Sequence, residues 1–347
     1  MGPVMEISIV GPGAVGTLLG GLLADRKHQV VLVGKKPPSE GTRSGDERKG
    51  GSRPGASPGP GGGASVRVML PDRWVVAEVT RTGPAEAPAS PDAVLVTLAR
   101  HHLHVLRRPD FSRLTGSGES PVALFNCDPA EIERLAVPPQ RLRLCLSLLT
   151  AVRLQDSDVE LVTEKPVILY EGSRTLDRVF RDLSAFGFQC TAVPDARPYL
   201  NSLLVWELLF LPLAMCNTTL GVFLSFPEGR ELAAGLISEG CEAMERAGMP
   251  MAALPAMDPR ELLGRLQKRP ESFAPLPERP DRSFNSLLQS LLSGRPTEAP
   301  QLNRRIVEIA SSAGLHLTWN WRILQKLSRV SGIGFYRTPG DLLRSLA

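Results

Sequence analysis

The sequence predicts an α/β fold for the first half of the chain and an all-helical fold for the second half. Short apolar, β-branched runs recur as far as residue 192. From residue 193 onward, apolar residues recur at helical spacing over long stretches. A chain of 347 residues is long enough for two domains. We therefore predict one domain at residues 1–192 and a second at residues 193–347.

The chain opens with a predicted βαβ unit. Met5–Val10 predicts a strand, Thr17–Arg26 a helix packed on a sheet, and Val30–Val33 a second strand. The turn between the first strand and the helix reads Gly11-Pro-Gly-Ala-Val-Gly16, which is a G-x-G-x-x-G pattern. A glycine pattern that follows a strand and opens a helix is typical of a Rossmann-like dinucleotide-binding domain. A turn that binds no ligand is the alternative.

Each glycine of this pattern has a separate role. Gly11 permits the tight turn, Gly13 lets the backbone approach a pyrophosphate, and Gly16 lets the helix and the strand pack closely. With Ala14 and Val15, the helix N-terminus offers unpaired N–H groups and a partial positive charge to the phosphates. We predict that these five residues bind the cofactor.

The end of the second strand predicts which dinucleotide binds. An acidic residue there would bind the ribose 2′-hydroxyl of NAD, but the sequence reads Val33-Gly-Lys-Lys36. Lys35 and Lys36 suit a 2′-phosphate, so we predict that the cofactor is NADP(H). Ordinary solvated surface charge is the alternative for each lysine.

A change of composition follows the βαβ unit. Pro38–Ala64 has no aliphatic residue larger than alanine and predicts a disordered Pro/Gly-rich surface insertion. A phosphate-clamping flap built on its basic residues is the alternative. Val66–Leu70 and Trp74–Val79 alternate like a hairpin. The further predicted strands are Ala93–Thr97, Val122–Phe125, Arg143–Leu149 and Val167–Tyr170.

The second half predicts long helices. They are Leu200–Leu220, Gly229–Ala247, Ser283–Leu292, Ala299–Ala313 and Trp319–Leu327, with proline-rich sequence at Pro250–Pro280. The most apolar segment, Leu203–Met215, carries Glu207 and predicts a buried core helix. We find no apolar stretch near the ~20 residues that a membrane helix needs.

Composition excludes several classes of function. The formal net charge is only +4, and no basic run is interleaved with aromatic residues, so we expect no nucleic-acid partner. The N-terminal segment lacks the pattern of a signal peptide, so we expect a cytoplasmic protein without a membrane partner. The five cysteines are scattered without any C-x-x-C pair, which argues against both a disulfide framework and a metal site.

Several motifs beyond the glycine turn resemble the ketopantoate reductase (2-dehydropantoate 2-reductase) family over nearly the whole chain except the insertion. They are Phe125-Asn126, Glu131–Leu135, Asp195-Ala-Arg197, Ser286–Gln289 leading into Gly294–Glu298, and Asn303 with Asn320. The resemblance implies a Rossmann domain, a helical domain and a small-molecule substrate in a cleft, with a homodimer as one possibility. It also implies a reaction of pantothenate biosynthesis, in which NADPH delivers hydride to the ketone of a 2-keto acid.

The same resemblance implies roles for individual residues. Glu298 matches the catalytic glutamate that hydrogen-bonds the substrate hydroxyl, and Ser286 matches the substrate-binding serine. Asn126 matches the asparagine near the nicotinamide, which implies contact with both cofactor and substrate. The family lysine that protonates the nascent alkoxide aligns with Leu203, and no lysine occurs between Lys165 and Lys268. Loss of a proton donor typically costs ~10²–10⁴-fold in rate.

Other groups are candidates to replace the lysine. An apolar helix would raise the pKa of Glu207, which could then donate the proton, although a buried ion pair with Arg295 is an equal alternative. His101 and His102 follow the strand Ala93–Thr97, and either histidine could act as the acid or remain a surface residue. Arg100 could clamp a carboxylate, or its side chain could simply be solvated. Two functions follow: an NADPH-dependent reductase with an altered proton donor, or a non-catalytic NADP(H)-binding protein on the same fold.

Overall fold

The structure is a computed structural model. It describes residues 3–34, 63–115, 118–132, 135, 137–155, 157–255, 258–268, 299–329, 336 and 338–346. The chain divides into two compact units, Met1–Pro194 and Asp195–Ala347. The first is built around a sheet and the second is helical, so the predicted fold class is confirmed. We call them the sheet unit and the helical unit.

Within the described residues, the sheet unit contains one 11-stranded sheet. The strands are β1 (Glu6–Val10), β2 (Gln29–Val33), β3 (Gly63–Met69), β4 (Trp74–Thr82), β5 (Ala93–Val96), β6 (Val122–Phe125), β7 (Leu142–Leu148), β8 (Ala151–Arg153), β9 (Asp158–Leu161), β10 (Val167–Glu171) and β11 (Gln189–Val193). Their order across the sheet is β11-β10-β7-β6-β5-β1-β2-β4-β3-β9-β8. Four short helices accompany them: α1 (Ala14–Asp25), α2 (Pro109–Thr115), α3 (Pro129–Ile132) and α4 (Arg174–Ser184). Two 3₁₀ helices lie at Pro84–Glu86 and Arg100–Arg107.

The centre of the sheet is parallel. Strands β4, β2, β1, β5, β6 and β7 lie next to one another in this order, and each adjacent pair among them is parallel. These six strands therefore all end at the same edge of the sheet, which we call the carboxyl edge. In open α/β sheets, ligands bind at this edge. Strand β10 is antiparallel to β7 and therefore ends at the opposite edge, where Glu171 accepts a hydrogen bond from the Leu144 amide at 2.9 Å.

The core of the sheet unit lies between the sheet and its helices. Helix α1 packs on β2, β3 and β4, and its leucines Leu18, Leu19, Leu22 and Leu23 are buried. Strand β4 alternates exposed and buried residues because only one of its faces packs on α1. From α4, the ring of Phe180 lies 4.2 Å from the ring of Tyr170, centroid to centroid. The leucine contacts fix α1, and with it the turn that precedes it, while the aromatic contact holds α4 on β10.

The predicted hairpin is confirmed, with a longer first strand. Strands β3 and β4 are antiparallel, and the register extends to Gly63 opposite Thr80 and Ala64 opposite Val79. Gly63 and Ala64, which the sequence assigned to the disordered insertion, therefore belong to the sheet. Ladder hydrogen bonds join backbone groups and need no apolar side chain, so composition does not reveal them. The rest of the predicted insertion lies outside the described residues.

Three strands and three helices of the sheet unit were not predicted. Strands β8 and β9 are short, and β11 is polar and mostly exposed, so hydrophobic periodicity does not reveal them. Helix α4 has a detectable N-terminus, since the Ser173 hydroxyl accepts a hydrogen bond from the Leu176 amide at 3.2 Å. Helices α2 and α3 are only seven and four residues long.

The described part of the helical unit is a helical assembly around its own apolar core. Its helices are α5 (Arg197–Glu207), α6 (Phe210–Met215), α7 (Leu220–Ser225), α8 (Pro227–Arg246), α9 (Pro259–Lys268), α10 (Ala299–Ser312), α11 (Trp319–Arg329) and α12 (Pro339–Leu346). Helix α9 falls in the segment that we expected to be only proline-rich connection. The predicted helix Ser283–Leu292 lies outside the described residues.

One predicted helix is wrong in its continuity. The segment Leu200–Leu220 divides into α5, α6 and the start of α7 rather than forming one helix. Pro212 has no N–H to donate to the carbonyl of Leu208, so the regular pattern fails one turn before it. Instead, the Leu209 amide donates to the carbonyl of Trp206 at 3.2 Å, which is a tighter i−3 bond.

The segment Arg197–Met215 also corrects the prediction that no apolar stretch approaches the length of a membrane helix. Taken as a single 19-residue stretch with mean hydropathy 1.3, it is long and apolar enough to cross a bilayer, which we did not expect from the sequence. However, 72% of its most apolar window is buried inside the protein, as in the core helix of a soluble protein. Length and composition alone are therefore weak evidence for a membrane span here.

Candidate functional site

The glycine turn lies at the carboxyl edge between β1 and α1. Gly11 has a φ of +100°, a left-handed value that favours glycine. The Gly11 amide donates to the carbonyl of Val33 at 3.1 Å, and the Gly13 amide donates to the carbonyl of Gly11 at 2.7 Å. These bonds fix the turn beside the end of β2, which is the position that the sequence predicts.

Gly16 is required for close packing of α1 on the turn. A Cβ atom at Gly16 would lie 2.2 Å from the carbonyl oxygen of Gly11 and 2.6 Å from Oγ1 of Thr97. Thr97 follows β5 and donates its hydroxyl hydrogen to the carbonyl of Gly11 at 2.8 Å. The turn is therefore closed on its inner side by backbone and by a hydroxyl from the neighbouring strand.

Gly13 lies in open space, in contrast to the tightly packed Gly16. It is the N-cap residue of α1, with φ −72° and ψ −170°, and a Cβ atom added there would meet no atom within 4 Å. The first N–H groups of a helix have no acceptor within the helix, so those of Ala14, Val15 and Gly16 remain available next to this open space. An anion at this point would also meet the positive end of the helix dipole. The turn therefore fits a phosphate group.

An arginine from the far end of the sheet contacts the same turn. The guanidinium Nη2 of Arg153 donates to the carbonyl oxygen of Pro12, and to Oγ1 of Thr17 at 3.3 Å. Pro12 also contacts the end of β2, since a Cβ atom at Gly34 would lie 2.5 Å from Cγ of Pro12. The next residues, Lys35 and Lys36, lie outside the described part of the chain, so their role remains a prediction.

Asn126 is held at the end of β6. Its φ of +49° is unusual for a residue other than glycine. Its Nδ2 donates to the carbonyl of Ser147 at 3.1 Å, and its Oδ1 accepts from the amide of Ser147 at 2.8 Å. The side chain thus joins β6 to β7 at the carboxyl edge. Its contact with cofactor and substrate stays a prediction.

Other chemically active groups lie next to Asn126. Buried Arg100 donates its Nε hydrogen to the carbonyl of Asn126 at 2.8 Å. Burial raises the pKa of Cys127 to about 12, so this thiol stays protonated near neutral pH and is not a thiolate nucleophile. His102 is exposed on the 3₁₀ helix Arg100–Arg107, and the side chain of His101 lies outside the described residues.

In the helical unit, the segment around Leu203 is apolar and buried. Leu203 is 4% exposed and Leu211 is 1% exposed, so neither side chain reaches solvent. Glu207 ends α5, one turn after Leu203, and its Oε2 atom is buried. Asp195 precedes the helix and accepts a hydrogen bond from the Arg197 amide at 2.9 Å. Asp195 of the predicted Asp195–Arg197 motif thus helps to start α5.

The two asparagines of the resemblance belong to one buried network. Asn303 donates to Oδ1 of Asn320 at 3.0 Å, and Asn320 donates to Oε2 of Glu239 at 3.0 Å. Glu239 also accepts hydrogen bonds from the amides of Thr318, Trp319 and Asn320, the first N–H groups of α11. Asn303 and Asn320 are 1% and 0% exposed. They hold α8, α10 and α11 together, which is a structural role.

Two predicted residues, Ser286 and Glu298, lie outside the described residues, so their roles remain predictions. Thr97 and Arg153, in contrast, contact the turn without having been predicted. Thr97 could have been found from its place at the end of a strand next to β1. No signal marks Arg153, because β8 is only three residues long. In the described residues, no three His, Cys, Asp or Glu side chains form a group that could hold a metal ion.

Two family models match the chain. Residues 7–47 match "Ketopantoate reductase PanE/ApbA", and residues 202–331 match "Ketopantoate reductase PanE/ApbA C terminal". These matches support the resemblance of the chain to the PanE/ApbA ketopantoate reductase family. The matches cover the glycine turn and most of the helical unit, so this ketopantoate reductase relative carries both parts of the family fold. No curated protein sequence matches the chain.

Solved structures of the family resemble the whole chain. A dimeric ketopantoate reductase from Staphylococcus aureus is 16% identical, covering 93% of this chain and 97% of that chain, with a TM-score of 0.65. A PanE/ApbA family ketopantoate reductase from Ralstonia eutropha JMP134 is 15% identical, covering 98% and 100%, with a TM-score of 0.67. D-mandelate dehydrogenase with NADH and anilino(oxo)acetate is 13% identical, covering 98% and 100%, with a TM-score of 0.69. At these identities the likeness shows the fold alone.

Proposed function

We propose that the protein is an NADPH-dependent oxidoreductase that transfers hydride to the ketone of a 2-keto acid or a related small molecule. The observation that carries the proposal is the turn at the start of α1. It is packed tightly at Gly16 and open at Gly13, as the approach of a pyrophosphate to the backbone requires. The matches to the two ketopantoate reductase family models support the reaction type.

The residues of the turn would hold the cofactor. The amides of Ala14, Val15 and Gly16 would bind the pyrophosphate, and Gly11 shapes the turn that presents them. Lys35 and Lys36 are proposed to bind the 2′-phosphate. The nicotinamide, when bound, supplies the hydride. The proposed substrate contacts come from Asn126, Ser286 and Glu298, as the family resemblance implies.

The proton must come from a different residue than in the rest of the family. Leu203, at the aligned position, has no transferable proton and is buried. We propose Glu207, whose buried Oε2 lies one turn further along α5. When hydride adds to the carbonyl carbon, the carbonyl oxygen gains negative charge and takes the carboxyl proton of Glu207. Water then returns a proton to the carboxylate, which completes the balance.

A second function is favoured by Leu203 itself. A family member that replaces its proton donor with a buried leucine can keep its cofactor site and lose its turnover. Such a protein would bind NADP(H) as a sensor or scaffold. The two functions differ in one measurable property, which is oxidation of bound NADPH by a keto acid.

The test is a fluorescence titration with NADPH, followed by a turnover screen against 2-keto acids that includes 2-dehydropantoate. Gly13→Ala should raise the Kd for NADPH by about tenfold, equal to about 1.4 kcal/mol, because the added methyl group displaces the pyrophosphate. The melting temperature should not change, since the space is open and the backbone angles suit alanine.

Gly172→Ala is the matched control. Gly172 follows β10 at the edge opposite to the turn, and a Cβ atom there would make ordinary contacts of 3.5 Å with Ala192 and Asp177. This variant should bind NADPH as the wild type does. Wild-type protein that binds no dinucleotide would contradict both proposed functions. Binding without turnover over the whole panel would leave only the second.

Glu207→Gln tests the proposed proton donor. Turnover should fall by about 10²–10⁴-fold while the Kd for NADPH stays constant, because the amide keeps the shape but cannot donate as an acid. Glu242→Gln, at an exposed position on α8, is the control and should keep full turnover. Full activity of Glu207→Gln would assign the proton to another group.

A further inference from the structure

Strand β8 brings an arginine to the edge of the sheet that carries the glycine turn. Strand β8 is antiparallel to β9, β9 is parallel to β3, and β3 is antiparallel to β4. Since β4 runs parallel to β2, β8 runs in the same direction as the central strands. Arg153 is the last residue of β8 and therefore lies at the carboxyl edge.

The sheet curls around α1 so that this distant strand meets the start of the helix. Helix α1 packs against β9 and β8 as well as against β4. As a result, the guanidinium of Arg153 donates to the carbonyl of Pro12 and to the hydroxyl of Thr17, although 141 residues separate Arg153 from Pro12. Thr17 is fully buried, whereas Arg153 is exposed. The arginine is thus anchored on the turn while its side chain is exposed.

The contacts of Pro12 specify which part of a dinucleotide Arg153 would meet. Pro12 lies between Arg153 and Gly34, the residue that follows β2. In Rossmann domains the end of the second strand lies at the adenosine ribose and distinguishes a 2′-hydroxyl from a 2′-phosphate. A guanidinium that contacts Pro12 is therefore near the ribose end of the nucleotide. Pro12 itself directly precedes Gly13, the N-cap residue of α1.

We propose that Arg153 binds the 2′-phosphate of the dinucleotide and makes the protein selective for NADP(H) over NAD(H). The proposal rests on the function proposed above and deepens it. A guanidinium presents several N–H donors in a planar fork that matches a phosphate, and the side chain of Arg153 is exposed beside the turn. Part of the selectivity would then come from β8, which is an edge strand of the sheet and is far from β2 in the sequence.

The experiment compares the affinities of NADPH and NADH in three variants. Arg153→Ala should raise the Kd for NADPH by about 10–100-fold, as expected for loss of a charged hydrogen bond, and the Kd for NADH by less than about twofold. Arg153→Lys keeps the charge without the fork and should lie between wild type and Arg153→Ala. Arg174→Ala removes an exposed arginine from the start of α4, three residues after β10 ends at the opposite edge. It should bind both dinucleotides as the wild type does.

The alternatives give different results. If Arg153 only ties β8 to the turn, Arg153→Ala will lower the melting temperature and leave the ratio of the two Kd values unchanged, which overturns the proposal. Equal weakening of NADPH and NADH also overturns it, since the contact would then be to the shared pyrophosphate. Wild-type protein that binds both dinucleotides equally well refutes the selectivity but leaves the oxidoreductase function intact. Wild-type protein that binds neither removes both.

Discussion

The turn before α1 and the helix α5 solve different problems, and the family resemblance implies that only the turn keeps its family form. At the turn, Gly13 leaves an open space in front of unpaired backbone N–H groups. In α5, Leu203 and the neighbouring residues fill their surroundings with apolar side chains. The turn binds through backbone atoms, which any sequence that permits the shape can supply. Proton donation depends on one side chain, so one substitution removes it.

The comparison therefore predicts that cofactor binding and catalysis are separable in this chain. A dinucleotide site made from backbone persists as long as Gly11, Gly13 and Gly16 persist. A catalytic step made from one ammonium group is lost when leucine replaces lysine, unless another acid such as Glu207 takes over. The predictions below test each side of this comparison.

The largest effect is expected from Leu203→Lys. An ammonium group introduced at a position that is only 4% exposed loses its water, and this desolvation cost can exceed the gain from pairing with Glu207 one turn away. The free energy of unfolding should fall by about 3–5 kcal/mol, measured by urea denaturation. Keto-acid turnover should not increase, because the charge would be neutralised or would disrupt the packing of α5.

Leu203→Met is the control for a change in side-chain shape without a charge. It conserves volume and should cost less than about 1.5 kcal/mol. A lysine variant as stable as the methionine variant, with faster turnover, would show that position 203 is open to a substrate. That result would contradict the proposed difference between the turn and α5, since α5 would then still have room for a catalytic lysine.

The next effect concerns the tight side of the turn. Gly16→Ala places a methyl group 2.2 Å from the carbonyl oxygen of Gly11, so α1 must move away from the turn. We expect a loss of about 3 kcal/mol of unfolding free energy, together with weaker NADPH binding. Gly13→Ala should change binding alone. If both variants were equally stable, the packing role of Gly16 would be refuted.

Much of the fold was predictable, because it depends on local pattern. The βαβ unit, the hairpin β3–β4 and the helix α8 each have periodic apolar residues or turn residues at the required positions. The break between α5 and α6 was predictable in principle from Pro212, but the continuous apolar run around this proline indicates a single helix. Element boundaries followed backbone pairing, as at Gly63, and side-chain composition does not show that pairing.

The site was only partly predictable, since several of its contacts join residues far apart in the chain. The glycine turn is a local pattern and was found. Arg153 reaches the turn through a sheet order that no local pattern reveals. Asn126 was predicted as a ligand contact, and its pairing with Ser147 becomes visible only when β6 and β7 are adjacent.

A smaller effect is expected in the helical unit from Asn320→Ala. The side chain bonds Asn303, Glu239 and the carbonyl of Leu236 in a buried place, so its removal leaves these groups without their partner. The free energy of unfolding should fall by about 2 kcal/mol in urea. Arg322→Ala, at an exposed position on the same helix, should cost almost nothing. If Asn320→Ala were fully stable but impaired keto-acid turnover, the network would be catalytic and not structural.

The smallest effect is a pH dependence in the last helix. Asp341 accepts hydrogen bonds from the hydroxyl and the amide of Thr338, and from Arg344 at 2.7 Å. The Thr338 hydroxyl bond, helped by Arg344, lowers the pKa of Asp341 below its ordinary value. A depressed carboxyl pKa stabilises the folded state at pH values above the unfolded pKa of about 4, and this stability is lost as the pH falls through the folded value.

Asp341→Asn should therefore lower the melting temperature slightly at pH 7, where the wild-type carboxylate is charged. The difference should disappear in strongly acidic buffer, because protonated Asp341 then resembles the asparagine. Thermal melts of both proteins from pH 7 down to pH 2 measure this. A difference that stays constant with pH would mean that α12 depends on the shape of the side chain at 341 and not on its charge. A difference that disappears in acid would instead show that the helical unit, where α12 packs on α8 and α6, is acid-sensitive, while the glycine turn keeps its geometry through backbone bonds that do not titrate.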